Sequence, residues 1–89
     1  MRESTIEKAV NKYARSLGWL AYKFTSPSNR GVPDALYIRD GLTTYVEFKA
    51  PGKQLRPLQA EVIKRFRANG AIVHVIDSIE QGKEVFNSY

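Results

Sequence analysis

Pro33-Asp34-Ala35-Leu36-Tyr37-Ile38-Arg39-Asp40-Gly41-Leu42-Thr43-Thr44-Tyr45-Val46-Glu47-Phe48-Lys49 is the stretch whose reading decides the fold. Two β-rich runs flank Asp40-Gly41, a pair suited to a tight turn in which both central residues take positive φ. The stretch therefore reads as a β-hairpin. On its second strand Glu47 and Lys49 are two residues apart and share a face, while Val46 and Phe48 take the opposite, apolar face. The turn returns the chain so that Asp34 lies alongside the end of that strand. Two carboxylates and one ammonium thus converge at one end of the hairpin.

Carboxylates held close together repel, and each needs a cation or a proton. A divalent metal answers that need, and hard oxygen ligands suit Mg²⁺ or Mn²⁺. Lys49 then places a positive charge where a phosphate would sit. The competing reading is a surface cluster in which Lys49 pairs with Glu47 or Asp34, worth under about 1 kcal/mol. Spacing alone leaves both open.

Four segments extend the pattern outward: Tyr22-Lys23-Phe24-Thr25-Ser26-Pro27, Arg30-Gly31-Val32-Pro33-Asp34, Tyr45 to Lys53, and Pro57-Leu58-Gln59. Pro33-Asp34 followed by Glu47-Phe48-Lys49 resembles the PD-(D/E)xK signature of restriction-endonuclease-like nucleases. The ordered set of four resembles the virus-type replication-repair nuclease (VRR-NUC) family in its small stand-alone phage and bacterial form. The bare signature is weakly specific; the ordered set is strongly so, and it spans nearly the whole chain. The resemblance implies that Asp34, Glu47 and the backbone carbonyl of Phe48 hold Mg²⁺ or Mn²⁺, and that Lys49 orients or deprotonates the attacking water. It also implies a third carboxylate from the first helix, for which Glu7 is the best match and Glu3 the fallback, and an active-site glutamine, Gln59.

Each of the last two has a structural alternative. Ser4 and Glu7 have capping-box spacing, which would account for Glu7 completely. Glu7 also lies beside Val10 and Ala14, from where a carboxylate could reach the sheet. Gln59 would ordinarily be a solvated amide. Lys23, Ser26, Arg30, Lys53 and Arg56 flank the motif and are candidate nucleic-acid contacts, although each alone reads as a solvated surface residue. Gly31 is expected to allow close backbone approach or positive φ. His74 reads as a core-edge or interface residue. Trp19, Tyr22 and Tyr45 read as packing residues, with Tyr45 sharing the face of Glu47.

The chain has 89 residues, 14 Lys and Arg against nine Asp and Glu, and a net charge of +5. Its length suits a single domain over 1–89. A fold this small buries about 60–65% of the surface its unfolded chain exposes, so its core is thin and dimerisation would help. The positive field favours polyanions. No apolar run approaches the ~20 residues of a membrane helix, and no secretory signal is apparent. The absence of cysteine removes disulfides and zinc-thiolate sites and fits a cytoplasmic protein of a bacterium or phage-infected host.

Periodicity predicts a helix over Ser4–Leu17, with Ile6, Val10, Tyr13, Ala14 and Leu17 on one stripe and Gly18 ending it. A strand over Trp19–Phe24 and a polar loop over Thr25–Val32 lead to the hairpin strands, Ala35–Arg39 and Thr43–Lys49. Pro57 opens a second helix with Leu58, Val62, Ile63 and Phe66 as its apolar face and Gly70 at its end. A strand over Ala71–Ile76 follows. Asp77 or Ser78 then caps a short final helix that packs through Ile79, Val85 and Phe86. The order α-β-β-β-α-β-α gives an α/β fold with a small mixed sheet flanked by helices. The αβββαβ core is that of the restriction-endonuclease-like fold which the resemblance implies.

The expected activity is metal-dependent DNA endonuclease action, with stand-alone members of the family looking similar to dimeric Holliday-junction resolvases acting on four-way DNA. A non-catalytic nucleic-acid-binding module is the rival, opposed by the intact Asp34, Glu47 and Lys49. A sequence-specific restriction enzyme fits less well, because 89 residues leave little for base readout.

Overall fold

A computed structural model describes residues 1–89. The elements are α1 (Glu3–Ser16), β1 (Leu20–Lys23), β2 (Ala35–Arg39), β3 (Leu42–Phe48), α2 (Pro57–Ala68), β4 (Ile72–Ile76) and α3 (Ile79–Asn87). The strands form one sheet in the order β1-β2-β3-β4, antiparallel through β3 and parallel between β3 and β4. This is the mixed α/β sheet expected, and no helix is long and apolar enough to cross a membrane.

The hairpin turns where its residues dictate. Arg39 pairs with Leu42 across a two-residue loop, with Asp40 at φ 50° and Gly41 at φ 80°. Registering Ala35 against Val46 then sets Asp34 beside Glu47. Gly18 ends α1 at φ 91°, with the Trp19 N–H reaching back to the Ala14 carbonyl at 3.1 Å.

The start of α1 departs from expectation. Helix begins at Glu3, with Arg2 at the cap position and no side-chain cap. The Ser4–Glu7 capping box does not form: Ser4 is an exposed residue of the first turn, and both oxygens of Glu7 accept from Lys23 Nζ at 3.2 Å. An ammonium across the layer outcompetes a local backbone N–H for that carboxylate. Glu3, expected outside the regular helix, is its first residue, where a negative charge favours the helix dipole.

The core lies mainly between the sheet and the α1/α3 layer. Ile6, Val10 and Ala14 of α1 meet Ala35, Tyr37, Val46, Phe48, Ile76 and Phe86, all buried. Trp19 joins them as expected, edge-on to Phe86 at 5.4 Å, with the Arg39 guanidinium 4.6 Å over its ring. His74 sits at the core edge, its Nε2 2.6 Å from the Tyr89 hydroxyl. Burial and then the Arg67 charge hold its pKa below the ordinary imidazole value. Ser78, rather than Asp77, caps α3 by accepting from the Gln81 N–H at 3.1 Å.

On the opposite face α2 packs over β4 and β3, with Ile63 buried beneath it. Tyr45 serves this layer, 5.3 Å from Phe66 and 5.7 Å from Phe24. Two apolar residues expected to pack do not: Tyr22 is 59% exposed and Leu58 49%. α2 does not cover β1 and β2, where Leu20 and Ile38 also face solvent.

Gly82 went unnoticed in the sequence and is a tight point of the fold. It is buried in α3, where a Cβ would overlap Val10 of α1. Alanine normally favours a helix interior over glycine by about 1 kcal/mol. Overpacking costs about 1–3 kcal/mol, so Gly82→Ala is expected to destabilise, lowering the melting temperature by several degrees. Adding Val10→Ala should recover part of that loss relative to Val10→Ala alone, a coupling that thermal melting of the four proteins would measure.

Candidate active site

The site forms where β2 begins and β3 ends. Asp34 Oδ2 accepts the Phe48 N–H at 2.8 Å, which ties the hairpin's two ends together. Phe48 thus meets the expected ligand Asp34 through its amide hydrogen. One step further, the Lys49 N–H donates to Ile76 O at 2.9 Å, anchoring the strand end to β4.

Glu47 and Lys49 are both buried, yet they do not pair with each other. Gln59, from the first turn of α2, stands between them. Its Oε1 accepts from Lys49 Nζ at 3.2 Å and from the Arg56 N–H at 3.0 Å. Its Nε2 donates to Glu47 Oε2 at 3.0 Å. Two donors fix the amide oxygen, which leaves the nitrogen for the carboxylate, so the network determines the amide's orientation. Gln59 is therefore a partly buried hub and not a solvated amide. The competing reading, a pairing of Lys49 with Glu47 or Asp34, is not realised, and Gln59 bonds both Lys49 and Glu47 instead.

Electrostatics match this geometry. Burial, reinforced by the nearby Asp34 charge, pushes the Glu47 pKa up to about 8, against the opposing pull of Lys49. Below that pH the metal-free protein holds a proton on Glu47. A divalent cation would relieve both the repulsion and the missing counter-charge, so the oxygen donors Asp34 and Glu47 fit a hard ion. No three acidic or histidine side chains are gathered into a cage. The third carboxylate that the family resemblance implies would have to reach the site from α1.

Two candidates stand there. Glu7, held by Lys23, has its side chain 14% exposed at the sheet's end. Glu3 lines a cleft with Lys49, Lys53 and Arg56. Lys23, expected as a nucleic-acid contact, is instead engaged by Glu7, although its own side chain is 63% exposed. Lys53 and Arg56 border Lys49 as expected. Ser26 and Arg30, in the loop that faces α2, line a separate cavity that Arg56 and Gln59 also border. Gly31, at φ 83°, lets that loop press against Leu58 and Val62.

Sequence reasoning placed Asp34, Glu47, Lys49 and Gln59 together, and missed the Glu7–Lys23 ion pair. Lys23 and Glu7 are 16 residues apart on different layers, with no local pattern to reveal the contact.

No family model matches the chain. It is 44% identical over 79 residues to "Putative nuclease p44" of Acyrthosiphon pisum secondary endosymbiont phage 1, an alignment covering 88% of this chain and 85% of that one. Its fold superposes on a solved structure described as "VRR_NUC domain" with a TM-score of 0.89 and 29% identity, over 98% of this chain and 96% of the other. With the Asp34–Glu47–Lys49 cluster held by Gln59 in this fold, the chain belongs to the VRR-NUC family.

Proposed function

We propose that this protein is a metal-dependent endonuclease that hydrolyses phosphodiester bonds in DNA, working as a homodimer on branched substrates. The observation that carries the reading is the Gln59 bridge, which keeps a buried carboxylate and a buried ammonium separately available beside Asp34. Burying both charges without pairing them costs stability, and catalysis gives a reason for that cost. Asp34, Glu47 and the Phe48 carbonyl, with Glu7 from α1, are the proposed ligands for Mg²⁺ or Mn²⁺. Such an ion, when bound, supplies charge neutralisation of the scissile phosphate and acidity to a water.

The chain's own residues do the rest. Lys49 stabilises charge developing on the phosphoryl oxygens. Gln59 fixes the reach of Lys49 and the direction of the Glu47 carboxylate. Lys53 and Arg56, which make no ion pair, position the backbone of the DNA. Self-association is supported by Leu20, Tyr22 and Ile38, exposed apolar residues on the adjacent strands β1 and β2. Two paired sites suit a junction, which presents two strands for symmetric cutting.

The direct test is cleavage of linear and four-way DNA in Mg²⁺ or Mn²⁺, with sedimentation to establish assembly. Asp34→Asn should abolish cleavage while DNA binding persists, and the wild type should favour the junction. Metal-dependent cutting by Asp34→Asn would overturn the assignment. A monomer cutting both substrates equally would leave a nuclease without junction preference.

For Glu7, the ligand role predicts that Glu7→Gln cleaves at least about tenfold more slowly while melting near the wild-type temperature, since the exposed Lys23 pair adds little stability. Near-normal cleavage would shift the third ligand to Glu3.

Glu47 sets a pH dependence. Its folded pKa of about 8 lies above the ordinary 4.5, so between these values the folded state binds more protons than the unfolded state. This group's contribution to stability is therefore present below about pH 4.5 and is lost as pH rises toward 8. The metal-free wild type should lose melting temperature over that window relative to Glu47→Gln, and added Mn²⁺ should offset the loss most at high pH. Parallel wild-type and Glu47→Gln profiles would show that Glu47 does not titrate there.

A further inference from the structure

A second concave surface adjoins the site, between the loop over residues 25–32 and α2. Two cavities of about 580 and 660 Å³ share Arg30, Val32 and Leu58 along it, within the size range of small-ligand pockets. One end is Gln59, the residue that bridges Glu47 and Lys49. The floor is apolar, made by Val32, Leu58, Val62 and Phe66. Leu58 stands 49% exposed there, although its helical spacing belongs to the packing stripe. Gly31 brings the loop backbone close to one side of the groove, since a Cβ there would sit 3.2 Å from Leu58 Cγ and 3.1 Å from Val62 Cγ2.

The rim is cationic. Arg30 and Arg56 line the groove and make no ion pair, whereas Arg65 is shared with Glu61 at 3.4 Å. Phosphates alone would use the arginines and leave the apolar floor in water. A nucleobase presenting its face would use both, the combination by which proteins hold single strands. In a duplex each base face is covered by its neighbours, so the groove suits a base that has left the stack.

We infer that this groove receives an unpaired nucleotide of the substrate next to the scissile phosphate, its base against Leu58 and Phe66 and its phosphates toward Arg30 and Arg56. The inference rests on the nuclease reading for the placement of that phosphate. It gives a single subunit its own means of selecting branched DNA, where strands part and bases unstack.

The test is binding by the full-length, metal-free protein to a blunt duplex and to the same duplex bearing a splayed arm, with 2-aminopurine in the unpaired region. The wild type should bind the splayed arm more tightly and change the 2-aminopurine fluorescence. Leu58→Ala should weaken splayed-arm binding about tenfold through lost apolar contact, leave duplex binding unchanged and melt close to wild type. Leu58→Met should restore the preference. An unchanged fluorescence signal in the wild type, or equal losses on both DNAs in Leu58→Ala, would overturn the inference. Selective splayed-arm binding by a wild type that fails to cut when Mn²⁺ is added would support the groove while overturning the nuclease reading.

Discussion

One carboxamide keeps two buried opposite charges from meeting. Glu47 and Lys49 share a face of β3 at a spacing that would let them form a direct ion pair. Such a pair would satisfy both and leave neither free for a ligand. Gln59 accepts from the ammonium and donates to the Glu47 carboxyl group, so each is hydrogen-bonded without the two meeting. The Arg56 N–H locks the amide oxygen from the other side, making the start of α2 part of the site. Lys or Glu at this position could not play both parts, since one lacks an acceptor and the ionised form of the other lacks a donor.

The sheet supplies the second constraint. Side chains alternate along β3, so a one-residue slip against β2 would turn Glu47 into the core and Val46 or Phe48 toward α2. The two-residue Asp40-Gly41 turn fixes one end of that register, and the bond from the Phe48 N–H to Asp34 fixes the other. Parallel pairing with β4 then holds the strand end rigid where the charged residues project. A site built on strand ends is more precise than one carried on loops. Asp34 and Glu47 are therefore close by construction, and the raised pKa of Glu47 follows from burial and that proximity.

What the sequence made legible follows from the range of the interactions involved. The hairpin, its turn, the glycine ending α1 and the meeting of Asp34 with Glu47 are local or follow from a short register, so composition and spacing reveal them. The placement of Gln59 came through the family resemblance, because nothing in Pro57-Leu58-Gln59 by itself says that the amide turns inward. Glu7 had two readings, a metal ligand implied by the resemblance and a capping-box partner of Ser4, and neither anticipates its partner Lys23 on another layer. Tyr22 and Leu58 were assigned to packing from residue type. Their exposure depends on how much of the sheet a 12-residue α2 covers, which periodicity does not report. Gly82 escaped notice because a glycine within a helix signals a close approach only once the opposing residue, Val10, is known.

The two faces of the sheet are consequently unlike. The α1/α3 side holds most of the buried apolar residues and most of the packing. The α2 side carries the polar network and leaves Leu20, Tyr22, Ile38 and Leu58 in solvent. Stability is marginal in a chain this short, so uncovered apolar side chains on one layer are unfavourable unless something occupies them. Their placement divides them into two groups. Leu20, Tyr22 and Ile38 lie on β1 and β2, beyond the cover of α2. Leu58 lies in a cleft rimmed by arginines and ending at Gln59, where a flat partner could not reach but a nucleobase could. The same incomplete cover by α2 therefore leaves two uncovered apolar surfaces, one on β1 and β2 and one in the cleft that ends at Gln59.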